Sequence, residues 1–155
     1  MNKKEHVCQL EIRLIDAAVT RWLRHAILLP HLHTPDQCQL PGDEKAGALH
    51  LGAFLANEMV GIASFLPEDF SSLGPVLQMR LRQMGVVESA RNRGVGRSLL
   101  EWGAASLRQR GVRLIWCHAR CRAFGFYERL GFAFHGSEFQ IPEIGVHRLM
   151  YLRLT

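Results

Sequence analysis

Three features of this 155-residue sequence predict one domain of the α+β (mixed α/β) class. Segments of alternating polarity interleave with segments of helical period. Two of the alternating segments are joined by a three-residue turn, and no repeat, low-complexity tract or linker interrupts the chain. A chain of 155 residues is the size of one ordinary domain, able to bury a core without disulfide or metal support.

Residues 7–15 alternate, with Val7, Gln9, Glu11 and Arg13 against Cys8, Leu10, Ile12 and Leu14, which predicts a strand with one polar face. Asp16 is placed to cap the next helix, whose Val19, Trp22, Leu23, Ala26 and Ile27 share one face until Pro30 stops it. Residues 31–47 form a polar loop rich in turn residues. Residues 48–55 and 59–65 then flank Ala56-Asn57-Glu58 and predict an antiparallel hairpin, followed by a second loop over 67–75.

The strand expected at 77–87 carries an irregularity. Its apolar residues first occupy odd positions (Leu77, Met79, Leu81) and then even ones (Met84, Val86). A one-residue slip of phase turns every later side chain to the other face unless a bulge absorbs it. A bulge near Gln83 is therefore expected, with the strand bending away from a neighbour there.

A polar turn over 88–97 leads into a helix over 95–110, with Leu99, Leu100, Gly103, Ala104 and Leu107 inward and Ser98, Glu101 and Arg108 outward. Residues 112–117 form a short apolar strand. Ala123, Phe126, Tyr127 and Leu130 repeat at helical spacing, closed by Gly131 as a left-handed cap with Phe132 beyond it. Two final strands are expected at 133–139 and 147–154.

Composition narrows the class of function. At 48% hydrophobic and 21% charged residues, the chain is not that of a disordered protein. No apolar run approaches the ~18 residues needed to span a bilayer. The charged start, Met1 to His6, lacks the apolar block of a signal peptide, so a cytoplasmic location and no membrane partner are expected. A net charge of +5 suits a polyanionic ligand, an acidic partner or nucleic acid without choosing among them. Nucleic acid is not expected, because the aromatic residues fall on apolar faces and do not interleave with the arginines. Cys8, Cys38, Cys117 and Cys121 are too few for a disulfide framework and are read as thiols.

The segment Arg91-Asn92-Arg93-Gly94-Val95-Gly96-Arg97 joins a strand to a helix. Glycines there allow close approach of backbone N–H groups to an anion, at the positive end of the helix dipole. A dinucleotide fingerprint would need a small residue where Leu99 stands, and a Walker loop a glycine and a lysine where Arg91 and Arg97 stand. Both fail. The pattern that fits is Arg-x-x-Gly-x-Gly, on Arg91, Gly94 and Gly96.

Here the chain resembles the GNAT superfamily of acyl-CoA-dependent N-acetyltransferases, whose pyrophosphate loop has this form after a bulged strand. The stretch Ala123-x-x-Phe126-Tyr127-Glu128-x-x-Gly131-Phe132 is similar to the family's later helix. The resemblance implies a mixed, mostly antiparallel sheet of about six or seven strands, splayed at the bulged strand and flanked by about four helices. It implies acetyl-CoA as cosubstrate, no metal, and a small-molecule or peptide amine as acceptor. It implies that Met84, Gly85 and Val86 offer backbone pairing to pantetheine, that Arg91, Asn92, Arg93, Gly94, Val95, Gly96 and Arg97 hold the pyrophosphate, and that Tyr127 protonates the departing thiolate. Strands near the C-terminus could also pair between two copies as a homodimer.

The sequence departs from the family in three places. Arg120 stands where asparagine is common, and Asn92 where glycine is common. The bulged strand offers Gln78, Arg80, Arg82 and Gln83 but no glutamate to serve as base. Candidates for the acceptor side are Arg82, Glu138 and His147, with Arg24 and Arg80 as further cations suited to an acidic acceptor. Plainer readings stand beside these: Tyr127 as core, Glu138 and His147 as solvated or structural groups, and Cys117-His118-x-x-Cys121 as a cluster without a fourth metal ligand. A CoA-binding regulator without catalysis is the alternative function.

Overall fold

The structure, a computed structural model, describes residues 8–155. The expectations that fall on residues 1–7 (the place of Val7 in the first strand and the character of the segment before it) lie outside the described residues.

The elements follow in the order β1 (Glu11–Leu14), α1 (Ala17–Leu23), β2 (Leu49–Leu55), β3 (Glu58–Leu66), β4 (Gln78–Val86), α2 (Val95–Gln109), β5 (Leu114–Arg120), α3 (Phe124–Arg129), β6 (Ala133–Ile141) and β7 (Gly145–Arg153). They build one seven-stranded sheet in the order β1-β2-β3-β4-β5-β7-β6. Every adjacent pair is antiparallel except β4–β5, which is parallel and connected through α2. Fold class and strand number are as expected. The described residues hold three α-helices, where about four were expected, because the other helical pieces are 3₁₀ turns of three or four residues and one five-residue π-helical turn.

The inner face of α2 is the predicted one: Val95, Leu99, Leu100, Gly103 and Leu107 are buried against the sheet. There they join Leu51, Ala63, Phe65, Met79, Leu81 and Ile115 in the main core. A smaller cluster of Leu73, Leu114, Trp116 and Leu149 covers part of the opposite sheet face, beneath Phe70 and Tyr151.

The first helix departs from its predicted face. Val19 is 45% and Trp22 69% exposed, while Ala17, Thr20, Leu23 and Arg24 turn inward. Asp16 holds the N-cap position, but its side chain makes no capping hydrogen bond. The helix continues into a π-helical turn, Arg24–Leu28, and a buried ion pair sets its rotation. Arg24 Nη1 donates to Asp43 Oδ2 at 2.7 Å and to the Cys38 carbonyl at 3.0 Å. Its Nη2 donates to Asp43 Oδ1 at 2.9 Å and Ser64 Oγ at 2.8 Å. The chain is completed by His50. Its Nε2 donates to the Asp43 carbonyl and its Nδ1 accepts from Ser64 Oγ, both at 2.8 Å. Breaking such a buried pair would strand a charge at a cost of about 3–5 kcal/mol, so the rotation that keeps it persists with two apolar side chains left exposed. Arg24 is therefore a structural residue and not part of an acceptor pocket.

Strand β4 carries the predicted bulge. Gly85 lies opposite Ile62 on β3, yet Arg82 lies opposite Ser64, so two residues of β4 face one of β3. Gln83 takes the left-handed conformation, at φ +55°. Met79 and Leu81 before it, and Met84 and Val86 after it, all meet the same helix-side core. The β4–β5 ladder stops at Arg80 opposite Trp116, while β5 continues to Arg120 on its β7 side. Beyond Arg80 the two parallel strands part.

The Arg24 network gives one expected outcome. Arg24→Met leaves the Asp43 carboxylate buried without its cation, so urea unfolding should show a loss of about 3–5 kcal/mol. Burial pushes the Asp43 carboxyl up, but Arg24 and the Leu40 N–H outweigh it and hold it below the ordinary value. The pair's contribution in the native protein should then be complete above the unfolded carboxyl pKa of ~3.9 and vanish as pH falls through the lower folded value.

Candidate active site

The gap between β4 and β5 opens into a cavity of about 260 Å³. Strand alternation divides its walls. Leu81, Cys117 and Tyr127 belong to the helix-side core. Arg80, Arg82 and His118 face the other side of the sheet, Arg82 lying opposite Ser64 and Arg80 opposite Trp116. The same alternation sends Cys117 and His118 to opposite faces. Because the strands have separated, all six line one cavity that passes through the sheet.

Tyr127 comes from α3, whose one fully turned-in residue it is. Its ring is 8% exposed and packs against Phe126 and Phe132, each with centroids 5.1 Å away. Burial raises the phenol well above its usual 10, and the neighbouring Cys117 side chain adds to this. The Cys117 thiol is itself pushed up to about 12 by burial. Both groups hold their protons at neutral pH.

The two histidines of the cavity are set in complementary neutral tautomers. His118 Nδ1 lies 3.2 Å from Arg80 Nη2, which can only donate, so the ring of neutral His118 carries its proton on Nε2. Burial first, then the charge of Arg80, lowers His118 to about 4. His147 Nδ1 lies 2.8 Å from the Gly145 carbonyl, which can only accept, so the neutral tautomer of His147 carries its proton on Nδ1 and leaves Nε2 as an acceptor. The ring of His147 is 4% exposed and stacks on Phe139 at 5.9 Å.

The loop after β4 presents donors. Val87 N–H donates to the Val60 carbonyl on β3 at 2.8 Å. Alternation therefore turns the backbone groups of Met84 and Val86 the other way, along the open edge toward β5. The Val86 carbonyl accepts from Arg91 Nε at 3.2 Å. Gly94 is the N-cap of α2 in the left-handed region, at φ +77°. The first hydrogen bond of α2 runs from Ser98 N–H to the Gly94 carbonyl, so the N–H groups of Val95, Gly96 and Arg97 have no helical partner. No side chain caps this end, and no acid lies in its first turn. Arg97 makes an exposed pair with Glu101 at 2.7 Å, of the weak surface kind. A helix end with free donors, flanked by Arg91 and Arg93, fits a polyphosphate. Gly85 lets this edge pass under the first helical segment, since a Cβ there would fall 2.8 Å from Ile27 Cδ1.

Of the acceptor-side candidates, Arg82 and His147 line the cavity. Glu138 does not. It is exposed on β6, next to Phe139, which faces His147, so alternation turns its carboxylate away. No carboxylate lines the cavity among the described residues. Sequence reasoning passed over His118, weighed only as a metal ligand, and Gln83, seen only as the bulge. Aligning β4 and β5 in parallel with Arg80 beside Trp116 would have found the first.

Comparison with known proteins agrees with this geometry. The profile of the Acetyltransferase (GNAT) family matches residues 16–132, well over half the chain. A curated relative, "Uncharacterized N-acetyltransferase YitI" of Bacillus subtilis (strain 168), is 37% identical over 145 residues, covering 94% of this chain and 97% of its own. Among solved structures, Arabidopsis thaliana NAA60 in complex with acetyl-CoA superposes with a TM-score of 0.72 at 17% identity, over 94% of this chain and 99% of its own. An aminoglycoside 6'-N-acetyltransferase complexed with coenzyme A gives 0.74 at 14% identity, over 94% and 97%. At such low identity these two show the shared fold.

Proposed function

The chain belongs to the acetyltransferase (GNAT) family and is an acetyl-CoA-dependent N-acetyltransferase; we propose that an acceptor amine attacks the thioester directly, with Tyr127 as the acid and His147 as the base. The observation that carries this reading is the adjacency of the donor-rich loop to the cavity. Met84 and Tyr127 line the cavity, and the uncapped start of α2 adjoins that end of β4, since a Cβ on Gly96 would fall 3.9 Å from Val86 Cγ2 and 3.2 Å from the Phe126 ring.

Each residue's part follows from its chemistry. The free N–H groups of Val95, Gly96 and Arg97, with Arg91 and Arg93, hold the pyrophosphate. The backbone of Met84 and Val86 pairs with the pantetheine amides as a short added strand, and the Val86 N–H polarises the thioester carbonyl. Bound acetyl-CoA supplies an activated acyl group with a leaving thiol of pKa near ~8.5. Tyr127, held protonated, donates a hydrogen bond to sulfur as charge collects there and yields its proton as the C–S bond breaks. His147 Nε2 takes the proton that the attacking nitrogen gives up. Holding both reactants in one cavity supplies much of the acceleration, since effective molarities reach ~10⁵–10⁸ M.

Three outcomes test this reading. Gly94→Val forces a β-branched residue to φ +77°, although its Cβ would meet nothing within 4 Å. The damage is therefore to the loop's backbone, and calorimetry should show at least a tenfold loss of coenzyme A affinity, about 1.4 kcal/mol. Unchanged affinity would remove the loop from the site.

Tyr127→Phe keeps the ring and removes the donor. Single-turnover transfer at pH 7 should slow ~10²–10⁴-fold with coenzyme A affinity little changed, and the deficit should narrow above pH ~8.5 as thiolate becomes an easier leaving group. A wild-type rate would reduce Tyr127 to core packing.

His147→Gln should slow transfer to strongly basic amines by a similar ~10²–10⁴-fold, and much less for weakly basic amines that arrive neutral. An equal loss for both kinds of amine would mean that His147 only shapes the cavity. A panel of amines that releases no thiol from acetyl-CoA would favour a CoA-binding regulator instead.

A further inference from the structure

On the side of the sheet opposite α2, the cavity wall is cationic and short of partners. Arg82 is half-buried there and makes no hydrogen bond or ion pair among the described residues. Arg80 is better held: its Nη1 pairs with Glu68 at 2.9 Å, its Nη2 meets His118, and its guanidinium lies 4.7 Å over the Trp116 ring. Its Nε remains buried without a partner. His118 adds Nε2–H as a third donor, by the tautomer its contact with Arg80 requires. These groups lie across the sheet from the α2 N-terminus, so they are not part of the anion cradle there. The carboxylates whose charge reaches Arg82, Glu68 and Asp43, are paired with Arg80 and Arg24, and a half-buried arginine that no carboxylate contacts is uncommon, because desolvation disfavours a bare cation.

The same cavity holds two acceptors without partners among the described residues. Gln83 Oε1 is buried and unbonded, on the residue that forms the bulge. His147 Nε2 is the other. Donors for an anion and acceptors for an amine thus meet within about 260 Å³.

We propose that the acceptor is a small molecule carrying its own anion beside the amine, a carboxylate or a phosphate, with the anion docked on Arg82 and Arg80 and the amine on Gln83 and His147. The role of the amine rests on the acetyl-transfer reading; the anion site rests on the cavity wall alone.

The test separates the two. Protein saturated with coenzyme A is titrated by calorimetry with the common N-acetylamino acids, each against its carboxamide, and with N-acetyl-O-phosphoethanolamine against N-acetylethanolamine. The tightest anionic ligand should bind at least tenfold better than its neutral twin, and which pair shows this identifies carboxylate or phosphate. Arg82→Gln should reduce that preference to below threefold, Arg82→Lys should retain part of it, and coenzyme A affinity in both variants reports that the fold is intact. Equal binding of the twins, tighter binding of neutral ligands, no binding at all, or a preference that survives Arg82→Gln would each overturn the proposal. Free amines and acetyl-CoA are then assayed for thiol release. An anion preference without any release would sink acetyl transfer and leave the anion site standing. Release from neutral amines alone would do the reverse.

Discussion

One extra residue in β4 governs the working part of the molecule. Gln83 adopts a left-handed conformation so that two residues of β4 face one of β3. Without that insertion the strand would continue its ladder with β5 past Arg80, and the cavity would be closed by backbone hydrogen bonds. With it, the helix-side apolar register is recovered at Met84 and Val86, while two strands that were paired diverge. The left-handed region is costly for a residue with a side chain, by roughly 1–2 kcal/mol. The surrounding sheet over-determines the strand on both sides and holds that strain in place.

The divergence changes what a sheet can do. An intact sheet is a wall, with each side chain assigned to one face. Where β4 and β5 separate, the apolar, proton-holding face of Tyr127 and Cys117 and the face of Arg80, Arg82 and neutral His118 share a single space. Two reactants can enter from opposite faces and meet edge to edge, each on its own binding surface. The first helical segment and the residue after it border the second face, with Leu28 and Leu29 on the cavity, and the Arg24–Asp43 pair fixes the segment's rotation.

Features that repeat along the chain were legible in the sequence. The phase slip between Leu81 and Met84 located the bulge, the period of α2 gave its buried face, and the glycine spacing marked the loop. Features created by partners far apart in sequence were not. Hydrophobic period alone put Val19 and Trp22 inside, because nothing local shows that Arg24 would find Asp43, 19 residues later, and Ser64, 40 residues later. The roles of His118 and His147 depend on which ring nitrogen faces a guanidinium or a carbonyl, and only folding decides that. Glu138 was misplaced for a related reason. Its nearness in sequence to the acceptor side says nothing of which way a strand residue points.

The burial of Cys117 bears on the durability of a site built around thioesters. A thiol beside such a bond is a competing nucleophile: thiol–thioester exchange would strand the acyl group on the protein. The exchanging species is the thiolate. With the Cys117 thiol pushed up to about 12 by burial, it stays protonated at pH 7. The same dry wall that keeps the Tyr127 phenol protonated thus keeps its sulfur neighbour chemically silent, so the pocket resists acylating itself.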